Sequence, residues 1–160
     1  MKNVLYYDFP IGKVGIIEEN DKLTEIFFGD GPQAGQKETS LIKETVKQLQ
    51  EYFAGQRREF SLPLAPRGTE FQQAVWQALT TIPYGETRSY KQIAEQIGNS
   101  RACRAVGMAN NRNPISIVIP CHRVIGSDGR LVGYGGGLDV KQLLLELEGA
   151  DCIKPRAERI

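Results

Sequence analysis

Histidine occurs once in these 160 residues and cysteine three times, and no apolar run approaches the roughly 20 residues that a membrane-spanning helix needs. The opening stretch, MKNVLYYDFP, lacks the basic-then-apolar build of a secretory signal. The expected location is therefore the cytoplasm, with no membrane partner. Cys103, Cys121 and Cys152 are an odd number without any CxxC pair, which argues against a disulfide framework and a structural zinc site. No metal and no cofactor are expected. A hydrophobic content of 41% is enough to bury one compact core or two small ones, which makes disorder a poor reading.

Net charge is small but unevenly distributed. Residues 1–66 hold 8 Lys/Arg against 10 Asp/Glu, whereas residues 67–160 hold 12 against 9. Between Arg88 and Arg130 the cations Arg88, Lys91, Arg101, Arg104, Arg112, Arg123 and Arg130 face only Glu95 and Asp128. Any one of these charges would pass as a solvated side chain; their crowding suits phosphates.

GKVGIIEE and KLTEIFFG flank Asn20-Asp21, a pair that tolerates left-handed dihedrals, which predicts a hairpin. From Ser40 the period becomes helical through Leu41, Ile42, Thr45, Val46, Leu49, Tyr52 and Phe53, up to Gly55. SLPLAPRG then reads as a linker, dividing the chain into domains at 1–66 and 67–160. Beyond it, Thr69 with Gln72 and Ser89 with Gln92 have capping-box spacing, and RACRAVGMANN opens a further helix after a short Gly-containing turn. Two short helices, a tight turn and a basic face on the second make a helix-turn-helix. IVIPCHRVIG and RLVGYG bracket Ser127-Asp128-Gly129 as the strands of a wing. Such helix pairs also occur in proteins that never touch DNA.

The single histidine adjoins Cys121 in the strand-like run IVIPCHRVIG. A cysteine in an apolar run is ordinarily an inert small hydrophobe. Pro120, which cannot donate to a sheet ladder, should break pairing there and expose the surroundings of Cys121. An imidazole is well suited to taking a thiol proton near neutral pH. Neighbours on a strand point to opposite faces, so His122 would have to act through a turn or a bridging water. Glu148 ends a helix with an apolar stripe of Val140, Leu143, Leu144 and Leu147, where a carboxylate opposes the helix dipole. Folded back over the hairpin, it could fix the His122 tautomer in a Glu-His-Cys relay. The glycines of YGGGLDV could make a simple turn, or let a flat ligand approach main-chain N–H groups.

IPCHRVIG and GYGGGLDVKQLLLELEG, preceded by SYKQIAEQIGN and RAVGMANNRNP, resemble the O6-alkylguanine-DNA alkyltransferases over roughly Arg67 to Gly149. The resemblance implies an α/β (α+β) chain with an N-terminal ribonuclease H-like sheet-and-helix domain and a C-terminal winged helix-turn-helix domain. It implies double-stranded DNA containing alkylated guanine as partner, bound through the minor groove, with the damaged base flipped into a pocket. Cys121 then matches the alkyl acceptor, His122 and Glu148 its activating relay, and Asn113 the asparagine that braces the site. Arg104 matches the arginine that fills the vacated stack, and Tyr90 the tyrosine that assists phosphate rotation and protonates the leaving guanine. Arg101, Arg112 and Arg123 join the DNA-binding set. Main-chain groups at Cys121 and Val124 would read the exocyclic amine, and Tyr134, Gly135 and Gly136 would line the pocket. The protein would act once, as a monomer in solution that could assemble cooperatively on DNA, on O6-alkylguanine and also O4-alkylthymine.

The sequence departs from that pattern at Gly135, where several relatives carry serine, and at Cys103, where alanine is usual. The zinc cluster of some relatives is missing. Two other readings compete: a lesion sensor that binds the same damage without an acceptor cysteine, against which Cys121 speaks, and a thiol hydrolase using Cys121 and His122, which would turn over repeatedly and ignore DNA.

Overall fold

The structure, a computed structural model, describes residues 2–127 and 137–150 and divides into two compact units, 1–67 with 114–116, and 68–113 with 117–160. The first unit is built on an antiparallel meander of β1 (Lys2–Phe9), β2 (Gly12–Glu19) and β3 (Lys22–Phe28). Asn20 and Asp21 both have positive φ, 52° and 65°, in the two-residue loop whose twist matches the strands it joins. Helix α1 (Ser40–Phe53), capped by Thr39, buries Ile42, Leu49 and Tyr52, and the sheet buries Val14, Ile16, Ile17, Leu23 and Ile26. Gly15 makes room for a neighbour, because a Cβ there would lie 2.3 Å from the ring of Phe27 and force that ring to move.

The outer edge of β3 is covered twice. Leu64 of the proline-rich stretch pairs with Leu23, and Ile115 pairs with Ile26, each as a parallel bridge. Residues 114–116 thus return to the first unit, where the backbone of Ile26 bonds to Pro114 and Ser116. A division at a single point misses this, because Pro114-Ile115-Ser116 is too short to read as a strand.

In the second unit, α2 (Glu70–Leu79) and α3 (Tyr90–Gln96) each begin with a complete capping box, Thr69/Gln72 and Ser89/Gln92. These satisfy backbone N–H groups left unbonded at a helix start. Helix α4 (Cys103–Asn111) packs against both through Val106 and Ala109, and the indole of Trp76 donates to the Ala109 carbonyl at 2.9 Å. Helix α5 (Leu138–Leu147) closes the described part, with no helix among the described residues long and apolar enough to cross a membrane.

Two expectations are corrected. Of residues 117–126 only β5 (Val124–Ile125) is strand, and it pairs in parallel with β4 (Arg88–Ser89). The buried face of α5 carries Lys141, Leu144 and Leu145, while Leu143 is 41% exposed. The stripe is therefore rotated from the one the leucines suggest, because a lysine occupies a core-facing position. The return strand of the wing, Arg130, Tyr134, Gly135, Gly136 and Cys152 lie outside the described residues.

Candidate active site

Cys121, His122 and Arg123 form one turn of 3-10 helix. Pro120, at φ −81° and ψ 65°, sets it up: these are the angles of an inverse γ-turn, and Cys121 N–H donates to Ile119 O at 2.7 Å across it. The chain thereby leaves the extended conformation just before the cysteine, which removes the strand geometry that would hold neighbouring side chains apart. Ile117, a β-branched residue that is nearly fully buried, has φ 73°, a strained conformation of the kind found where surrounding structure fixes a site.

Two asparagines, Asn110 in the last turn of α4 and Asn113 just beyond it, secure this turn. Asn113 donates to Ile119 O at 2.8 Å, and Asn110 donates to Cys121 O at 3.3 Å. The Cys121 carbonyl also accepts from Val124 N–H, so Val124, fully buried, contributes a main-chain contact within the turn.

Cys121 is only 4% exposed and His122 is fully enclosed, contrary to the exposure that a break at Pro120 suggests. The reason is tertiary: α2 and α5 both pack on the turn. His122 Nε2 lies 2.7 Å from Glu148 Oε2. Burial pushes the Glu148 carboxyl up, but hydrogen bonds and charge from His122 and Arg123 outweigh it and hold the group well below the ordinary carboxylate range. Burial lowers the His122 pKa, only partly opposed by Glu148. A neutral imidazole beside a carboxylate donates from Nε2, which leaves Nδ1 as a lone-pair acceptor. That atom is buried and has no hydrogen-bond partner.

Arg123, expected at the DNA surface, is turned inward and only 7% exposed. Its Nε and Nη2 grip the two oxygens of Glu148 at 2.8 and 3.0 Å, and Nη1 donates to Ile82 O at 2.7 Å. Glu148 also accepts from Gly85 N–H at 3.3 Å. The carboxylate at the helix end is thus compensated by a bidentate guanidinium rather than by solvent. Arg101, Arg104 and Arg112, by contrast, are exposed, as is Cys103.

Tyr90 begins α3 and is half-buried; burial, reinforced by the nearby charge of Cys121, pushes its phenol up to about 12. Lys141, which the sequence reading passed over, is fully buried with Nζ 5.9 Å from the centroid of the Tyr90 ring. Its position i−4 to Leu145 was the available signal, since a lysine inside an apolar stripe is rare without a purpose. Asn110 was missed for want of any local signal. Among the described residues no group of three His, Cys, Asp or Glu gathers as a metal ion would require.

Two family models match the chain end to end: the ribonuclease-like domain of 6-O-methylguanine DNA methyltransferase over residues 4–66, and the DNA-binding domain of the same family over residues 70–150. The chain belongs to the 6-O-methylguanine DNA methyltransferase family. A methylated-DNA–protein-cysteine methyltransferase of Mycolicibacterium paratuberculosis is 67% identical over 146 residues, covering 88% of each chain. One from Methanosarcina acetivorans is 49% identical, covering 90% of this chain and 96% of its own. Among solved structures, that of Mycobacterium tuberculosis OGT in complex with DNA has a TM-score of 0.85 at 48% identity, covering 92% of both chains. The family's two-domain α/β architecture, ribonuclease-like followed by DNA-binding, is that of this chain.

Proposed function

We propose that this methyltransferase repairs DNA by moving the alkyl group of O6-alkylguanine onto the sulfur of Cys121, once per molecule. The observation that carries the reading is the 2.7 Å contact between His122 Nε2 and Glu148, which leaves the Nδ1 lone pair available to take a proton from the adjacent cysteine. The thiol proton passes to Nδ1, directly or through a water, and its electron pair stays on sulfur. The S–C bond then forms from the sulfur pair as the C–O6 bond breaks, its electron pair stays on O6 of guanine, and Tyr90 protonates the guanine and is reprotonated from water, to which His122 has passed the thiol proton. A thioether offers no carbonyl for water to attack, so nothing regenerates the thiol.

Enclosure of the sulfur argues for an extruded base, since a stacked one could not bring O6 within bonding reach of a cysteine only 4% exposed. The exposed Arg101, Arg104 and Arg112 suit phosphates and the minor groove, with Arg104 filling the vacated stack. Asn113 braces the turn, and O4-alkylthymine is a second substrate. The protein works as a cytoplasmic monomer.

Duplex DNA containing O6-methylguanine tests this by peptide mass spectrometry. One methyl on the peptide holding Cys121, lost in Cys121→Ser, is expected. An unchanged mass, or a methyl only at Cys103 or Cys152, would reject it, and repeated product release would favour a hydrolase.

A further inference from the structure

The activation just proposed leaves a charge unaccounted for. Burial lowers the His122 pKa, so the imidazole can relay a proton but is a poor place to keep one. Glu148, the other member of the relay, is already neutralised by Arg123 through two short contacts. A thiolate at a position as enclosed as Cys121 would therefore stand in a low-dielectric site with no lasting cation supplied by the relay.

Lys141 meets that need by its place in the fold. It lies on the face of α5 that carries Leu144 and Leu145, and α5 packs directly on the turn that holds Cys121. The residue is fully buried, and its ammonium sits 5.9 Å from the Tyr90 ring. Lys141 thus ties α3 to α5 through the Tyr90 ring, and α5 packs on the turn that carries Cys121, whose charge raises the pKa of both side chains. A lysine is not needed there for packing: an apolar residue would fill the same stripe without any desolvation.

We propose that the ammonium of Lys141 is the counter-ion of the Cys121 thiolate, a positioning residue that keeps the acceptor sulfur anionic once His122 has passed the thiol proton to water and returned to its neutral form. This rests on Cys121 being the acceptor. The groups that bear on the titration are Cys121 and His122 on the turn and Tyr90 on α3, with Glu148 and Arg123 forming a closed pair on the far side of the imidazole. Burial brings the Lys141 pKa down to about 8, with the Cys121 charge opposing the drop, so the lysine is cationic at neutral pH.

The test compares wild type with Lys141→Met, which keeps the length of the stem and removes the charge. Iodoacetamide labelling of Cys121, followed by peptide mass spectrometry across pH 5 to 10, reads the thiol titration independently of DNA. The expected result is a midpoint raised by about one unit or more and a labelling rate at pH 7 lowered roughly tenfold, with much of the loss recovered at high pH. Methyl transfer from duplex DNA should slow in parallel, while the melting temperature is unchanged or higher, because removing a buried charge relieves its desolvation. A Lys141→Met profile that overlays the wild type overturns the counter-ion role. Should Lys141→Met lose cooperative unfolding, Lys141→Gln is read in the same way. If wild type labels as expected but takes no methyl from DNA, the alkyltransferase reading fails while the ion pair stands; if wild type transfers methyl and the profiles coincide, only the ion pair fails.

Discussion

His122 and Glu148 meet at 2.7 Å with both side chains fully enclosed, and Arg123 closes the carboxylate from its other side. The charge of Glu148 is thus shared between a neutral ring and a guanidinium, and its removal has two separable consequences. In Glu148→Gln, Arg123 keeps its place but loses its anion, and a buried pair broken from one side destabilises by about 3–5 kcal/mol. Urea unfolding at neutral pH should show this as a lower midpoint. The tautomer of His122 is also released, so methyl transfer should slow even where the variant is fully folded. A variant as stable as wild type would mean that the Arg123 contact contributes little.

Stability toward acid follows from the same pair. Glu148 has a folded pKa depressed below its ordinary value of 4.5, so the unfolded chain binds the proton first. Its contribution is complete above that ordinary value and is lost as pH falls from there through the folded value. Thermal unfolding from pH 7 down to pH 3 should therefore show a steep acid limb, and Glu148→Gln should flatten it. An unchanged acid limb in that variant would assign acid unfolding to other carboxylates.

Lys141 shifts stability in the same direction with pH, but at the alkaline end. Its folded pKa of about 8 lies below the ordinary 10.5, so between those values the unfolded chain holds more protons and the folded state gains stability as pH rises. The gain should vanish in Lys141→Met, so the difference in melting temperature between variant and wild type should narrow from pH 8 to pH 10. A constant difference over that range would mean that Lys141 is not perturbed by burial.

Local signals in the sequence carried the hairpin at Asn20-Asp21, α1 and both capping boxes, because each depends on residues a few positions apart. They failed where the chain serves the site. The run from Ile117 to Gly126 has the composition of a strand, but Pro120 with Asn110 and Asn113 folds it into consecutive turns. The helix stripe misled for a related reason: with Lys141 and Glu148 facing inward, apolar periodicity no longer marks the buried side of α5. Arg123 was misassigned because charge counts along a chain do not show which cations meet a buried carboxylate. Tertiary chemistry overrode local pattern at each of these points, and all of them surround Cys121.

The division between buried and exposed arginines is open to measurement. Arg101, Arg104 and Arg112 are exposed, whereas Arg123 is committed to Glu148 and Ile82 O. Each substitution of an exposed arginine that contacts phosphate should weaken DNA binding across sequences and lower the slope of log K against log salt by about 1. Arg123→Met should leave that slope unchanged under conditions where it is folded, while costing about 3–5 kcal/mol in unfolding free energy because the buried Glu148 loses its guanidinium. Arg104→Ala carries a further signature: if its side chain fills the stack, repair in duplex should fall more than attack on the free modified base. Equal losses on the two substrates would reduce Arg104 to one more phosphate contact.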